Sequence, residues 1–580
     1  MTVELAVTSE GPAGDTIQGD RDVRKLRPRW FAPLLALAMI AAACGNGEEA
    51  PEEPDDTTEE AADPDAPDDE EPADAAPEGA PDDAQLVIDR SFDLVTNDPH
   101  RQFEATGTIL HHATHDTLLA YPTTDITEPQ PNVAESWEVN DDATEFVFQI
   151  RDDIEFADGT PLTAADVEFS LTRLVNLAGN PSFIFAGNTT VATGDYEVTI
   201  TSEEPNPALP FILTNSSTAI VNSELVQANG GSADEDAPET DTADEWFNGE
   251  GGEGSGSGPY FVESFDTETE VVLTRNDNYW GELPEWPRVV LRNNEASAQR
   301  LNVQSGESQL ALDVSGDDLE GLPDELTIAS DPAAVTFFIF ANQNPEISEV
   351  TTNPDFVEAV RYGIDYDGIA ELGGLGVRQA CGILPDMLLG ALPDEDCVER
   401  DLDRAIEAFE RSGVGDTPVE LEYPSDFSAN GMTFGPIAER VQANLAEVGI
   451  NLELAPTPIA TALDNYREGI EEMGLWLWNA GYPEPSYYLA FNPGELVGLR
   501  AGWAGGSADE VNELGDGASR IVDDAERHEA YQEWERALQE QGPYITLIQP
   551  STALVADPIV TNVEFHPTYI VDIGRLGYGG

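Results

Sequence analysis

The chain has 580 residues, which is more than one hydrophobic core usually serves, so we expect two or three domains. It carries 114 Asp and Glu residues against 25 Lys and Arg, a formal net charge of -89. A polyanion of this kind repels nucleic acid and anionic lipid, which makes both poor partners. Lys25 is the only lysine. An acidic surface with little lysine suits a protein bathed in concentrated salt, although a GC-rich genome would explain the missing lysine equally well.

Residues 1–43 have the layout of a secretory leader. A basic run beginning at Arg21 precedes an apolar stretch of about a dozen residues, too short to span a bilayer comfortably. The stretch ends in small residues and Cys44, which resembles the processing site of bacterial lipoproteins. That resemblance implies cleavage before Cys44 and stable anchoring of its sulfur by acyl chains. Leu is usual where Ala41 stands, and an uncleaved or plainly secreted form is the alternative.

Residues 44–85 form an acidic segment of Pro, Ala, Asp and Glu with almost no apolar residue larger than alanine. Such a composition buries too little apolar surface to offset the entropy of ordering, so we expect a disordered tether. Its prolines and like charges extend it, which would hold a domain away from a membrane. A cation-binding acidic tail is the alternative interpretation.

The folded part begins with an alternating strand, QLVIDRSFDL, followed by a helix-like stretch with Ile109, Leu110, Leu118 and Leu119 as its apolar set. Half of the six histidines lie within this stretch. His111 and His115 are four residues apart, a spacing that allows both to face one metal ion on a helix. The alternative is that they are surface or cleft-lining residues, and we expect no metal there.

The next segments predict a β-meander and then a helix. VAESWEVNDDATEFVFQIRDDIEFADGT alternates between turns, and PLTAADVEFSLTRLVN follows it. Thr163 is a candidate N-cap, with Asp166 three residues later in the place of the capping-box glutamate. The glycine-rich segment 249–258 lacks the lysine and spacing of a phosphate-binding loop, so a flexible loop is expected there.

These segments resemble the family-5 extracellular solute-binding proteins, the large peptide-, oligosaccharide- and nickel-binding components of ABC importers. The resemblance rests on AESWEVNDDATEFVFQIRDDIEFADGTPLTAADVEFSL, GSGPYFVESFDTETEVVLTRNDNYWGELP, FFIFANQNP, DFVEAVRYGIDYDGIAE and WNAGYPEPSYYL, in this order. It implies an α/β fold, a bilobal clamshell of the type II periplasmic-binding-protein kind with an inserted subdomain. The implied ranges are 86–332 for lobe I, about 109–207 for the subdomain, 333–543 for lobe II and 544–580 for the return to lobe I.

The alternation of strand and helix patterns supports α/β lobes independently. The helix ERVQANLAEV, closed by Gly449 and followed by the strand NLELA, is a clear helix-to-strand unit. Cys381 and Cys397 remain as an even pair if Cys44 is acylated, and in an oxidising compartment they favour a disulfide over two free thiols. No histidine lies near either cysteine in sequence, which argues against a metal site. No GxSxG, HExxH or Cys/His nucleophile motif is present, so we expect no enzyme.

The stretch WLWNAGYPEPSYY, residues 476–488, ends a strand and enters an aromatic, proline-containing loop, a common place for recognition residues. In peptide-binding members of the family an aspartate follows this strand and pairs with the ligand ammonium, and Gly481 stands in its place here. Glu484 is the nearest substitute acid; otherwise the ligand lacks a free amino terminus. The expected ligand-binding residues are Trp478, Asn479, Gly481, Tyr482, Glu484, Tyr487 and Trp503.

The sequence therefore predicts the substrate-binding lipoprotein of an ABC importer, without a cofactor. It would be a monomer anchored outside the cytoplasmic membrane, and it would capture a peptide or similar polar solute and deliver it to a permease. An oligosaccharide-binding member of the same family is one alternative. A nickel carrier or a non-transport surface sensor on the same fold is another.

Overall fold

The computed structural model describes residues 80–250 and 252–580, which form two α/β lobes, each built on its own mixed sheet. The predicted leader, Cys44 and all but the last residues of the predicted tether lie outside this range. None of the helices among the described residues combines the length and the hydrophobicity that a membrane span requires.

Strands are numbered in chain order through the described residues. They are β1 Leu86–Arg90, β2 Leu119–Ala120, β3 Gln130–Pro131, β4 Ala134–Val139, β5 Glu145–Ile150, β6 Asn188–Gly194, β7 Glu197–Ser202, β8 Tyr260–Phe265, β9 Glu270–Arg275, β10 Arg288–Asn293, β11 Leu310–Ala311, β12 Thr327–Pro332, β13 Val335–Ala341, β14 Arg378–Gln379, β15 Val419–Pro424, β16 Ser428–Ala429, β17 Met432–Thr433, β18 Leu452–Thr457, β19 Met473–Asn479, β20 Tyr544–Gln549, β21 Ser551–Ala556, β22 Val560–Thr561 and β23 Gly577–Tyr578.

The α-helices are numbered in the same way. They are α1 Ala105–Thr114, α2 Ala164–Asn176, α3 Leu209–Ile212, α4 Ser223–Ala228, α5 Ala237–Thr240, α6 Ala243–Glu250, α7 Ala296–Ser305, α8 Pro354–Gly363, α9 Tyr366–Ala370, α10 Leu402–Ser412, α11 Phe434–Val448, α12 Ile459–Glu468, α13 Leu496–Arg500, α14 Asp509–Ala518 and α15 Asp524–Gln541.

Lobe I is built on a seven-stranded sheet in the order β12-β21-β11-β1-β10-β9-β8. Strand β1 pairs in parallel with β10 and β11, while the remaining neighbours are antiparallel. Alternate residues of β1, Leu86 and Ile88, are fully buried, as expected of a central strand. Helix α1 packs against β8 and brings its polar face to the edge of a cleft.

Lobe II is built on a six-stranded sheet in the order β14-β20-β13-β19-β15-β18. Every residue of β13 is buried, which fits its near-continuous apolar sequence and its central position. Strand β19 lies antiparallel to β13, with Thr336 opposite Trp478 and Val335 opposite Asn479. This register carries the end of β19 to the cleft.

A third sheet, β4-β5-β7-β6, forms the inserted subdomain, and the predicted meander supplies β4 and β5. Helix α2 covers this sheet and begins with the predicted capping box. Asp166 Oδ2 accepts hydrogen bonds from the Thr163 amide at 2.9 Å and from the Thr163 hydroxyl at 2.8 Å. The start of α2 could therefore be predicted from the residues at that position alone.

The subdomain begins later than the predicted residue 109. Ile109 and Leu110 lie in helix α1, and their side chains are buried in the core of lobe I. The separate core of the subdomain starts at Leu118 and runs to Ile220 in sequence. Apolar spacing alone grouped Ile109 and Leu110 with Leu118 and Leu119, because α1 ends at Thr114, only four residues before Leu118.

The chain crosses between the lobes at two adjacent points. Ala333–Ala334 connects β12 to β13, and Pro550 connects β20 to β21. The connections are bonded to each other: the Ala333 amide donates to Pro550 O at 2.9 Å, and Gln549 Nε2 donates to Ala333 O at 3.0 Å. Two short, neighbouring crossings of this kind allow one lobe to rotate against the other.

The second crossing lies later than the predicted boundary at residue 544. Strand Tyr544–Gln549 pairs with β13 in the lobe II sheet, so lobe II extends through it. Cys381 and Cys397, also in lobe II, are joined by a disulfide, with their Cα atoms 4.1 Å apart.

Candidate ligand-binding cleft

A cleft of about 1230 Å³ lies between lobe I, the subdomain and lobe II. Helix α1, the loop before it and the C-terminal segment 565–575 form one wall. The opposite wall comes from lobe II, through the segments 427–437 and 477–487. The residues of the cleft thus come from positions almost 500 residues apart in the chain.

The cluster at His112 lies on the lobe I wall. The His112 ring stacks on the Tyr569 ring with a centroid separation of 3.6 Å, and its Nε2 lies 3.5 Å from Asp572 Oδ2. Tyr569 in turn stacks on His566, also at 3.6 Å. Burial acts to raise the pKa of Asp572, but His112 and Arg575 outweigh it and hold that pKa below its usual value. Asp572 is therefore an anion at neutral pH.

Asp116 is a buried carboxylate of the same wall with three neutral donors. Its Oδ2 accepts from Ser257 at 2.8 Å and Trp280 Nε1 at 3.0 Å, and its Oδ1 accepts from Asn132 at 3.3 Å. Burial raises the pKa of Asp116. Its hydrogen-bonding capacity is largely taken up by the protein, which suits a structural role in holding Trp280 against the subdomain.

His111 and His115 also border the cleft, but three of their four ring nitrogens are engaged by the protein, and His111 Nδ1 is buried without a hydrogen-bond partner among the described residues. His111 Nε2 lies 3.1 Å from Asn97 O, and His115 contacts Thr114 Oγ1 at 2.9 Å and Ser255 Oγ at 3.2 Å. Burial lowers the pKa of His111 to about 4, so the ring is neutral at pH 7. This geometry does not favour the metal-carrier hypothesis.

Among the described residues, one group of three potential metal ligands lies within ligand distance of one another: Cys381, Asp394 and Cys397. Its two sulfurs are joined in the disulfide.

Two arginines line the cleft. Arg90 pairs with Asp313 at 2.5 Å and is therefore already neutralised. Arg575 is exposed, and no carboxylate of the described chain lies within 4.0 Å of its guanidinium. It is the cleft cation that remains open to a ligand.

The lobe II wall is formed in part by the end of β19. Leu477 and Asn479 face the cleft, because alternate residues of a strand point to opposite faces. Beyond the strand, Gly481 and Tyr482 also line the cleft, together with Tyr487 from the following helical turn. Four of the predicted ligand-binding residues, Asn479, Gly481, Tyr482 and Tyr487, thus lie together in the cleft wall.

Trp478, Trp503 and Glu484 do not line the cleft. Trp478 points away because of the strand alternation, and its ring packs edge-on against Phe491 at 5.5 Å. Trp503 is 4 % exposed and packs against Tyr544 in the lobe II core. These three predicted ligand contacts are corrected by the structure.

Glu484 is turned into the protein as a helix cap. Its Oε2 accepts from the Ser486 amide at 2.7 Å, and its Oε1 lies 3.7 Å from Arg527 Nε. With 1 % of its surface exposed, it cannot take the place of the missing aspartate. A side chain at Gly481 would require the Tyr487 ring to move, since an added Cβ would lie 2.7 Å from that ring.

The subdomain and lobe II touch across the cleft at this same point. Asn215 Nδ2 donates to Gly481 O at 2.5 Å, and the Phe183 and Tyr487 rings lie 6.4 Å apart. The subdomain and lobe II are therefore in contact at this edge of the cavity.

Several cleft residues were not found from the sequence. They are His112, Asp116, Tyr569, Asp572 and Arg575. The histidine cluster drew attention to its neighbours at 111 and 115, but no local pattern marks the C-terminal residues. Their place depends on the chain returning to lobe I after β20.

The comparisons with known proteins agree with this architecture. The model of bacterial extracellular solute-binding proteins, family 5, matches residues 128–495. The probable D,D-dipeptide-binding periplasmic protein DdpA of Escherichia coli K12 is 25% identical over 496 residues, covering 83% of this chain and 92% of the relative.

Among solved structures, the ABC transporter substrate-binding protein CtaP of Listeria monocytogenes superposes with a TM-score of 0.74 at 18% identity, covering 86% of this chain and 99% of that one. The periplasmic binding protein DppA of Helicobacter pylori, in complex with the peptide STSA, gives a TM-score of 0.70 at 19% identity, covering 86% and 98%. These likenesses show the bilobal periplasmic-binding-protein fold. The family match covers more than half of the chain, so this protein belongs to the family-5 bacterial extracellular solute-binding proteins, which are transport binding proteins and not enzymes.

Proposed function

We propose that this protein is the extracytoplasmic binding component of an ABC importer and that it captures a peptide in the cleft. The observation that carries the proposal is the cleft itself. It holds about 1230 Å³ between two lobes that are joined by two short crossings. That volume exceeds the roughly 300–1,000 Å³ of ordinary small-ligand pockets.

The side chains that line the cleft suit a peptide ligand. Aromatic rings such as Tyr482 and Tyr487 offer flat apolar faces for side chains, while Asn479 offers an amide for backbone groups. Arg575 offers an unpaired guanidinium for a terminal carboxylate. DdpA and the Helicobacter DppA, both similar to this chain, are named as binding a dipeptide and a peptide.

Delivery of the solute to the permease would follow from closure of the two lobes around it. A solute that touches both walls binds the closed arrangement more tightly than the open one, and this difference in affinity shifts the population toward the closed form. The permease would recognise that form. Acylation at Cys44 and anchoring through residues 44–85 would keep the protein at the outer face of the membrane.

The test is a thermal-shift and titration series on the purified protein with random tetrapeptide pools. The pools have free or acetylated amino termini and, in each case, a carboxylate or an amide at the other end. At least one carboxylate pool should raise the transition temperature, since ligand at a hundredfold its Kd stabilises by about 2.7 kcal/mol. Arg575→Gln should lower affinity for carboxylate pools about tenfold more than for amide pools.

Arg520→Gln is the matched control, because Arg520 is an exposed arginine outside the cleft. It should leave both affinities as they are. Stabilisation by an oligosaccharide pool and by no peptide pool would contradict the peptide proposal. Equal losses for carboxylate and amide pools would remove Arg575 from the site.

A further inference from the structure

Formal charge is distributed unevenly across the cleft. The lobe I side, with the C-terminal segment, supplies the charged side chains, including Arg90, Asp116, Asp572 and Arg575. The lobe II lining consists of Val335, Leu372 and parts of the segments 427–437 and 477–487, and none of its described residues that face the cleft is charged. One wall therefore recognises charge and the other does not.

Glu371, which directly precedes Leu372, is exposed and does not line the cleft. Two further carboxylates near the lobe II segments accept hydrogen bonds from the protein. Asp426, which precedes the first segment, accepts a hydrogen bond from the Ile459 amide at the start of α12, at 2.6 Å. Glu484, within the second segment, is buried against Ser486 and Arg527. Neither carboxylate lines the cleft.

A carboxylate at Gly481, where the lobes meet, would require the Tyr487 ring to move. An added Cβ at Gly481 would lie 2.7 Å from the Tyr487 ring, and that ring is held between Trp478 at 5.8 Å and Tyr482 at 5.2 Å. The Gly481 carbonyl is already bonded to Asn215. This part of the wall offers a solute neutral contacts only.

Most lobe I carboxylates have partners within the protein. Asp313 pairs with Arg90, Asp572 with His112, and Asp318 with Arg300. Asp93 and Asp116 are engaged too: Asp93 accepts from the first two amides of α1, and Asp116 from its three donors.

Glu104 and Glu282 are the two that remain. Glu104 accepts only from the neighbouring Phe103 amide, and Glu282 is exposed at the rim, where solvent weakens any ion pair.

A free peptide carries an ammonium at one end, and burying that ammonium against a neutral wall removes its hydration without supplying a counter-charge. An acylated or cyclised amino terminus carries no charge and incurs no such cost. We propose that this cleft takes peptides whose amino terminus is blocked, placed against lobe II, with the carboxylate directed to Arg575. This inference rests on the proposed peptide function and specifies the chemical class of its ligand.

The experiment compares two tetrapeptide pools that differ only in N-acetylation and both carry a free carboxylate. Binding to the purified protein is measured by competition titration and by native mass spectrometry. The acetylated pool should bind at least about tenfold more tightly than the free pool. Equal or tighter binding of the free pool would overturn the inference, and Glu104→Gln or Glu282→Gln would then locate the ammonium site on lobe I. Binding of neither pool would overturn the peptide function itself.

A second variant tests the same inference by restoring charge to the neutral wall. Asn479 faces the cleft, is exposed and makes no side-chain hydrogen bond to the described residues, so Asn479→Asp changes charge at nearly constant shape. It should raise the affinity of the free pool relative to the acetylated pool about tenfold. Asn451→Asp, which adds the same charge at an exposed position outside the cleft, should leave the ratio as in the wild type. An unchanged ratio in Asn479→Asp would count against a neutral lobe II wall as the selective element.

Discussion

At Gly481 the cleft wall presents a backbone carbonyl and no side chain, and the neighbouring rings explain why. The sequence placed this glycine where the family carries an aspartate, and the structure adds that Tyr487 fills the vacated space. Glu484, three residues later, looked like a substitute acid because sequence shows proximity but not direction. Its carboxylate caps the helical turn Pro485–Phe491, which a local Glu-Pro-Ser pattern does not distinguish from an exposed acid.

The two tryptophans of β19 illustrate the same limit. Alternation correctly put Trp476 and Trp478 on one face, but the sequence does not say which face meets the solute. Trp476 is 5 % exposed, stacks on Tyr466 and donates from Nε1 to the Glu471 carboxyl group at 2.9 Å. That buried contact fixes the face, so Leu477 and Asn479 line the cleft instead.

The buried carboxyl group of Glu471 makes the stability of the folded protein depend on pH. Burial raises the pKa of Glu471 to about 9, well above its usual value of about 4.3. The folded state then holds a proton that the unfolded state releases, so this group's contribution to stability is complete below about pH 4 and is lost as pH rises toward 9.

Glu471→Gln should remove this dependence. Relative to the wild type, its free energy of unfolding in urea should increase between pH 5 and pH 8, by up to about 1.4 kcal/mol per pH unit. Glu468→Gln, at an exposed position of α12, is the control and should follow the wild type. Parallel pH profiles for Glu471→Gln and the wild type would show that the carboxyl is ionised in the folded protein.

Elements with local signals were predictable from the sequence. The capping box at Thr163 and Asp166 begins α2, and Gly449, with a φ of 102°, ends α11 in the left-handed conformation that glycine adopts most easily. Both signals depend on residues within one helical turn. The meander strands β4 and β5 were found for the same reason, since alternation and turn residues are local.

Elements defined by long-range pairing were not predictable in detail. The sequence analysis assigned the residues of β20 to lobe I. In the structure β20 pairs with β13, about 200 residues earlier in the chain, and the residues of a strand do not specify which distant strand it pairs with. Helix α1 was extended toward Leu118 because the apolar spacing continues, whereas the chain leaves the helix at Thr114 to enter the subdomain.

The Asp166 cap should matter for stability beyond its own helix. Its Oδ2 serves Thr163, and its Oδ1 accepts from the Ser223 amide at 3.0 Å and the Ser223 hydroxyl at 2.7 Å, which ties α2 to α4. Asp166→Ala should lower the free energy of unfolding by about 1–3 kcal/mol, measured by urea denaturation. Glu204→Ala, at an exposed acidic position of the subdomain, should change it by less than about 0.5 kcal/mol. A loss no larger than that of the control would mean that water replaces the cap without cost.

At the scale of the molecule, the two lobes divide the tasks of recognition. Lobe I and the C-terminal segment bring the charged groups, and lobe II brings neutral surfaces on the end of a buried strand. The crossings at Ala333–Ala334 and Pro550 lie side by side, so a rotation there would open the cleft without disturbing either sheet. The contact between Asn215 and Gly481 would then form only when the lobes come together.

The central claim is that a peptide is held between the lobes and draws them together. It is tested most directly by small-angle X-ray scattering of the purified protein, without peptide and with the tetrapeptide pool that binds most tightly. We expect the radius of gyration to fall on addition of peptide, and the scattering of the complex to fit the arrangement in which Asn215 meets Gly481. A peptide that binds by titration but leaves the radius of gyration unchanged would contradict capture by lobe closure.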